Sequence, residues 1–181
     1  GRHTTSFHNP SGVAVDEKFI YVGNDGNSNI LKITKSTGGF AGAEKINLNT
    51  IGDTTLDADE ANLFVAYNAL TSNINFQDIF LEKRFKSNLE LVGKVLIRPK
   101  DSVLVSSYAL TGDITTSDDY VFIAFTDDIN GNGNFYIQKR LKSNLKLVRE
   151  YSSKRRHFAV LHNGLSYFPS QKSIERDLGI D

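Results

Sequence analysis

One stretch of the chain recurs almost unchanged 56 positions further on. Ile79-Phe80-Leu81-Glu82-Lys83-Arg84-Phe85-Lys86-Ser87-Asn88-Leu89-Glu90-Leu91-Val92 is matched by Phe135-Tyr136-Ile137-Gln138-Lys139-Arg140-Leu141-Lys142-Ser143-Asn144-Leu145-Lys146-Leu147-Val148, from 79 to 135 and from 92 to 148. Each copy reads as two strands joined by a turn at Ser-Asn, where Asn tolerates the left-handed conformation. Lys35-Ser36-Thr37-Gly38-Gly39 ends a similar strand earlier in the chain. A repeated hairpin cannot bury its apolar face alone, so the copies must stack on one another.

A second hairpin precedes each copy. Gly12–Asp16 leads to Phe19–Val22, Thr55–Asp59 to Leu63–Tyr67, Ile114–Asp118 to Tyr120–Phe125, and Phe158–His162 to Leu165–Phe168. With Val22, Ala66, Ala124 and Phe168 taken as equivalent, the spacings are 44, 58 and 44. Helical periodicity is nearly missing, and turn residues punctuate the strands. Hairpin plus hairpin is a four-stranded antiparallel unit, the blade of a propeller. The expected fold is therefore all-β, a small β-propeller of about four four-stranded antiparallel blades. Its units fall at roughly 12–48, 54–98, 113–151, and 157–181 together with 2–8. Two arrangements stay open. Either residues 2–8 add a strand to the last unit near 173–178 and close the ring, or the chain is a piece of a larger propeller. Residues 99–111 exceed an ordinary connection, and Ser102–Val105 is a candidate extra strand.

The 181 residues suit a single domain with a real core. Balanced charge, with 21 basic and 21 acidic residues, leaves no global field to steer nucleic acid or an anionic membrane. No apolar run approaches the roughly 18 residues that span a bilayer. The absence of Cys excludes disulfides, thiolate metal sites and cysteine nucleophiles. The opening Gly1-Arg2-His3 reads as a processed end.

Phe7-His8-Asn9-Pro10-Ser11-Gly12-Val13-Ala14-Val15-Asp16, followed by Ile20-Tyr21-Val22 and Asn29-Ile30-Leu31-Lys32-Ile33, resembles one repeat of the NHL propeller family. Ile20-Tyr21-Val22-Gly23-Asn24 is also similar to the YVTN repeats of archaeal and bacterial surface proteins. Asp78-Ile79-Phe80-Leu81-Glu82-Lys83 is similar to propeller repeats of secreted bacterial proteins. NHL-like propellers usually have six blades, and only the first unit here carries the Pro-x-Gly-Val-Ala-Val-Asp pattern well. The resemblance implies a binding or scaffolding role and transfers no active site.

In a propeller, the loops 23–29, 68–77, 126–134 and 169–172 share one face, which is the candidate binding surface. Asn24, Asp25, Tyr67, Asn68 and Asp127 are its candidate binding residues. The plainer reading is that Asn and Gly simply serve the hairpin turns. Asp128-Ile129-Asn130-Gly131-Asn132-Gly133 matches the start of a calcium loop, with Asp128, Asn130 and Asn132 as ligands. Tyr136 and Lys139 stand where later carboxylates belong, so calcium is a weak candidate and no other cofactor is expected. Asp16, Asp59, Asp118 and His162 recur at the first hairpin on the opposite face, either as a chelating ring or as caps of their own turns. His3, His8, His157 and His162 meet only if the termini do. Lys154-Arg155-Arg156-His157 reads as a solvated edge rather than a nucleic-acid site.

These residues point to a non-catalytic extracellular or surface-associated module that binds a protein or carbohydrate partner or forms part of an assembly. The alternative is a propeller glycosidase or lectin-like domain, whose carboxylate pair cannot be chosen without the fold.

Overall fold

The computed structural model describes residues 6–45, 50–70, 77–97, 109–126 and 134–153. They form three four-stranded antiparallel sheets. The first is β1 (Pro10–Val15), β2 (Phe19–Asn24), β3 (Asn29–Thr34) and β4 (Phe40–Lys45). The second is β5 (Thr50–Ala58), β6 (Asn62–Leu70), β7 (Gln77–Phe85) and β8 (Leu91–Ile97). The third is β9 (Ala109–Thr116), β10 (Tyr120–Thr126), β11 (Phe135–Leu141) and β12 (Leu147–Ser153). In every sheet the strands lie in chain order, each paired with its sequence neighbour. A single 3-10 turn, Asp25–Asn27, is the only helical piece among the described residues.

The sheets pack face to face with their first strands adjacent, β1 beside β5 and β5 beside β9. Alternation along each strand decides which side chains enter each interface. Tyr21 and Ile30 of the first sheet pack with Leu56, Leu63, Val65 and Tyr67 of the second. The other face of the second sheet, with Phe64, Ala66, Ile79 and Leu81, packs on Ile114, Val121, Ile123 and Phe125 of the third. Each fully buried aliphatic or aromatic side chain contributes roughly 1.5–3 kcal/mol. The first two sheets approach too closely at β5 for larger residues on β1 and β2. A Cβ on Gly12 would lie 2.2 Å from the Thr54 carbonyl oxygen, and one on Gly23 would lie 2.8 Å from the Thr54 side chain.

Irregularities recur with the sheets. Each first hairpin has a register shift in its pairing, between Pro10/Val13, Thr50/Thr54 and Ile123/Phe125. The pairing of third and fourth strands slips at Lys32/Ile33, Lys83/Arg84 and Lys139/Arg140. A bulge at the same place in three sheets is a designed feature of the repeat.

The expected all-β architecture of four-stranded antiparallel units, almost free of helix, is present, and the units begin two to four residues earlier than the sequence pattern suggests. The fourth unit at 157–181, the strand near 173–178 and the extra strand at Ser102–Val105 lie outside the described residues, as do residues 2–5. Ser6–His8 is not a strand. It lies over the β2–β3 turn, where the His8 N–H donates to Asn24 Oδ1 (2.6 Å) and the Gly26 N–H donates to the His8 carbonyl (2.8 Å).

Two registers differ from the sequence reading. Asp16, Asp59 and Ser117 each donate a backbone N–H to the carbonyl three residues on, so Ser117 and not Asp118 is the third counterpart. Counting from these turns makes Val22 equivalent to Val65 and Ile123, one residue from the apolar alignment. The left-handed residue of the second turn is likewise Leu89 (φ 64) and Leu145 (φ 60), not the preceding Asn. Asn88 and Asn144 instead accept the N–H two residues on, from Glu90 (3.1 Å) and Lys146 (3.0 Å).

Candidate functional site at the turn end of the sheets

The β1–β2 and β3–β4 turns of each sheet lie together at one end. They are joined by Lys35, Lys86 and Lys142, whose N–H groups donate to the carbonyls of Lys18, Ala61 and Asp119 (2.9, 3.1 and 2.9 Å). In the first sheet Asp16 Oδ1 accepts the N–H groups of Lys18 and Phe19, both at 2.8 Å. Asp59 Oδ1 accepts those of Ala61 (3.0 Å) and Asn62 (2.7 Å). These are Asx turns, in which the carboxylate replaces backbone acceptors.

The second oxygen of each carboxylate reaches across to the next sheet. Asp16 Oδ2 is 3.0 Å from Lys86 Nζ, and Asp59 Oδ2 is 3.0 Å from Lys142 Nζ. A strut runs parallel to each clasp. Lys32 Nζ donates to the carbonyls of Lys86 (2.6 Å) and Ser87 (3.0 Å), and Lys83 Nζ donates to that of Lys142 (3.0 Å). Burial pushes the Asp16 carboxyl up, but the hydrogen bonds from Phe19, Lys86, Lys18 and Tyr21 outweigh it and hold the group well below the ordinary carboxylate range. Asp59 behaves alike, with Asn62, Lys142 and Ala61 overcoming its burial. Burial lowers the Lys32 ammonium, against the pull of Asp16.

Two grooves open at this end. One of about 590 Å³ lies between the first and second sheets, with Glu17, Phe19, Lys32 and Glu60 in its walls. The other, of about 520 Å³, lies between the second and third sheets, with Glu60, Asn62, Ser117 and Asp118. Among the described residues no group of three or more His, Asp or Glu is placed to hold a metal ion. Asp16 and Asp59 are caps and clasps in place of the proposed chelating ring, and His162 lies outside the described residues.

Behind the turns lies a buried polar network that sequence reasoning missed. Arg84 donates to Glu82 Oε2 from Nε (2.8 Å) and to the Leu89 carbonyl from Nη1 (2.8 Å). The Tyr67 hydroxyl donates to Glu82 Oε1 (2.6 Å), and Lys94 Nζ donates to the Tyr67 oxygen (2.6 Å). Burial, then the Glu82 charge, pushes the Tyr67 hydroxyl far above its usual range. In the third sheet Arg140 repeats the contact with the Leu145 carbonyl (2.8 Å), and Gln138 replaces Glu82. Burial lowers Arg140 to about 10, opposed by Glu150. The repeated Lys-Arg dipeptide was the available signal: neighbouring strand residues face opposite ways, so Lys83 reaches the following sheet while Arg84 and Arg140 each serve their own turn.

The proposed binding residues are placed as follows. Asn24 is buried at the end of β2, where its Nδ2 donates to Asn29 Oδ1 (3.0 Å). Asp25 accepts the Thr54 hydroxyl and so ties the β2–β3 turn to the second sheet. Tyr67 is buried in the network above, and Asn68 is buried in β6 opposite Ile79. Thus Asn24 and Asp25 share the β2–β3 end, while a ligand on the loop face would not meet Tyr67 directly. Asp127, Asp128, Asn130 and Asn132 lie outside the described residues, with the remaining loops of that face.

Consecutive four-stranded antiparallel sheets, stacked with their first strands adjacent, define a propeller-like all-β protein. No family model and no curated protein matches the chain. Solved structures do match, among them apo AztD from Citrobacter koseri, with 12% identity and a TM-score of 0.31. That match covers 79% of this chain and 46% of the AztD chain, so this chain spans about half the length of that protein. Among the described residues no helix is long and apolar enough to cross a membrane.

Proposed function

We propose that the chain is an NHL/YVTN-like β-propeller of about four blades that acts as a non-catalytic binding or scaffold module, extracellular or at a cell surface. Its partner is a protein or a carbohydrate held on the β2–β3 loop face, with Asp25 as the contact nearest solvent, the buried Asn24, Tyr67 and Asn68 as support from within, and Asp127 as a further contact residue. The observation that carries this reading is the state of Asp16 and Asp59. Of the acids lining the inter-sheet grooves, Asp16 and Asp59 are each bound by the next sheet's lysine and held ionised. A glycosidase needs the opposite, a carboxyl raised so that it can donate a proton. These acids serve the scaffold.

The test is to screen the chain against glycans and candidate surface proteins and, in parallel, for turnover of chromogenic glycosides. Saturable binding that Asp25→Ala weakens, without turnover, is the expected result. Turnover that Glu60→Gln abolishes would make the protein an enzyme. Calcium at Asp128, Asn130 and Asn132 remains a proposal with its own check. About 10 mM calcium, above the roughly 10⁻⁴–10⁻³ M Kd of weak extracellular sites, should raise the Tm of the native chain but not of Asp128→Ala. A wild-type Tm that does not move reduces the loop to a turn.

A further inference from the structure

The outward face of the third sheet repeats the faces by which the first two sheets receive their successors. Phe122, Ala124 and Lys139 stand where Tyr21, Gly23 and Lys32 stand in the first sheet, and where Phe64, Ala66 and Lys83 stand in the second. The pairings Phe122–Lys139, Tyr21–Lys32 and Phe64–Lys83 fix this equivalence. Lys32 Nζ sits 4.0 Å over the Phe19 ring, and Lys139 Nζ sits 4.0 Å over the Tyr120 ring. At both described junctions this lysine feeds the turn carbonyls of the following sheet. Phe122, Ala124, Phe135 and Ile137 form a buried cluster with Tyr120 and Tyr151 against it, yet none of the three sheets packs on that face. One element differs: Ser117 occupies the position of Asp16 and Asp59, so no carboxylate clasp is available there.

We infer that this face is a docking surface for one further sheet, formed by residues 154–181 of the same chain and joined through the Lys139 strut without a clasp. Continuity with two junctions of the same chemistry supports this occupant. So does the length of chain after Ser153, which is enough for three short strands of about five residues. The inference rests on the propeller reading proposed above and adds which contacts make the junction. It also makes this junction the one most dependent on its lysine.

The sequence has no cysteine, so Ala124→Cys places a single thiol on this face of the full chain. Labelling by a thiol reagent should run roughly 100-fold slower than in the urea-unfolded chain, as for a site that opens only by local unfolding, and at the same rate at every protein concentration. Adding Lys139→Met should speed labelling about tenfold or more, while Lys32→Met, two junctions away, should leave it unchanged. Thr115→Cys, opposite Phe122 on the same face, serves if Ala124→Cys does not fold. A thiol that reacts at the unfolded rate overturns the inference. So does protection that appears only as concentration rises together with a dimer in sedimentation, which would place a second copy there. Equal effects of Lys139→Met and Lys32→Met would remove the role given to Lys139. Partner binding is measured separately, so the module reading can fail while this junction stands, or the reverse.

Discussion

Lys86 Nζ lies 3.0 Å from Asp16 Oδ2 and joins the second sheet to the first; Lys142 and Asp59 repeat the pair at 3.0 Å between the third and the second. The side chains of all four residues are less than one-fifth exposed. An exposed ion pair is worth about 0–1 kcal/mol, because water screens it and two mobile side chains must be ordered. Here the carboxylate is already fixed by its own turn and the lysine by the packed sheet. Most of the ordering cost is therefore met by the fold, and charge-assisted hydrogen bonds in such settings contribute about 1.5–3 kcal/mol.

The clasps make stability depend on acid. Asp16 and Asp59 are held below the ordinary carboxylate range in the folded chain, whereas the unfolded chain titrates them near about 3.9. As pH falls, the unfolded state takes up these protons first. The contribution is whole above about pH 5 and is lost as pH falls through the folded values. Urea midpoints measured from pH 7 to pH 2 should fall along this limb, and Asp16→Asn with Asp59→Asn should flatten it. Parallel profiles for the native and substituted chains would show that the carboxylates are not the source.

Glu82 neutralises Arg84 inside the fold, whereas in the third sheet a neutral Gln138 supplies only the acceptor to Arg140. Glu82→Ala strands a buried guanidinium and should cost about 3–5 kcal/mol. Glu82→Gln keeps an acceptor in place, as Gln138 does for Arg140, and should cost roughly 1–2 kcal/mol. Chemical denaturation of the two variants decides the matter. Equal losses would mean that charge, and not the acceptor, is what Arg84 requires.

Leu89 is left-handed yet tolerated because its side chain is 2% exposed in the core between the first two sheets. The left-handed conformation costs about 1–2 kcal/mol for a residue with a Cβ, and burying the Leu side chain returns about 1.5–3 kcal/mol. Gly38 takes the same conformation in the first sheet, where a Cβ would meet nothing within 4 Å. Leu89→Gly should thus lower stability by about 1 kcal/mol despite relieving the backbone. Gly38→Leu should lower it as well, for lack of anything to bury against. A Leu89→Gly chain that unfolds at the same or a higher urea concentration would contradict this balance.

Much of this architecture was readable because it is locally encoded. The repeat from Ile79 to Val92 carries strand alternation and turn chemistry together, and the structure forms β7, β8 and their turn there. The registers that slipped were those aligned on apolar strand centres, where Val22 and its neighbour Gly23 fit equally well by pattern; only the backbone pairing at Asp16, Asp59 and Ser117 separates them. Tyr67 reads as the last residue of its strand and Asn68 as the first of the loop, because Asn and Ser follow closely. Yet β6 runs on to Leu70 and buries both, and the Tyr67 hydroxyl is satisfied by Glu82 and Lys94 on the two following strands. The clasps themselves were invisible in the sequence. Asp16 lies 43 residues before Asp59, whereas Lys86 lies 56 before Lys142, so the pairs share no common offset and meet only through the stacking of sheets.

The most direct test of that stacking is a double-mutant cycle on the first clasp, using Asp16→Asn, Lys86→Met and the pair, read by urea denaturation at pH 7. If the second sheet hands its lysine to the first, the single changes should cost more together than the double change. The coupling should be about 1–2 kcal/mol, within the range for residues in one ion-pair network. Single losses that add to within about 0.3–0.5 kcal/mol, as for distant sites, would mean that the two residues do not meet and that the sheets are not joined as described.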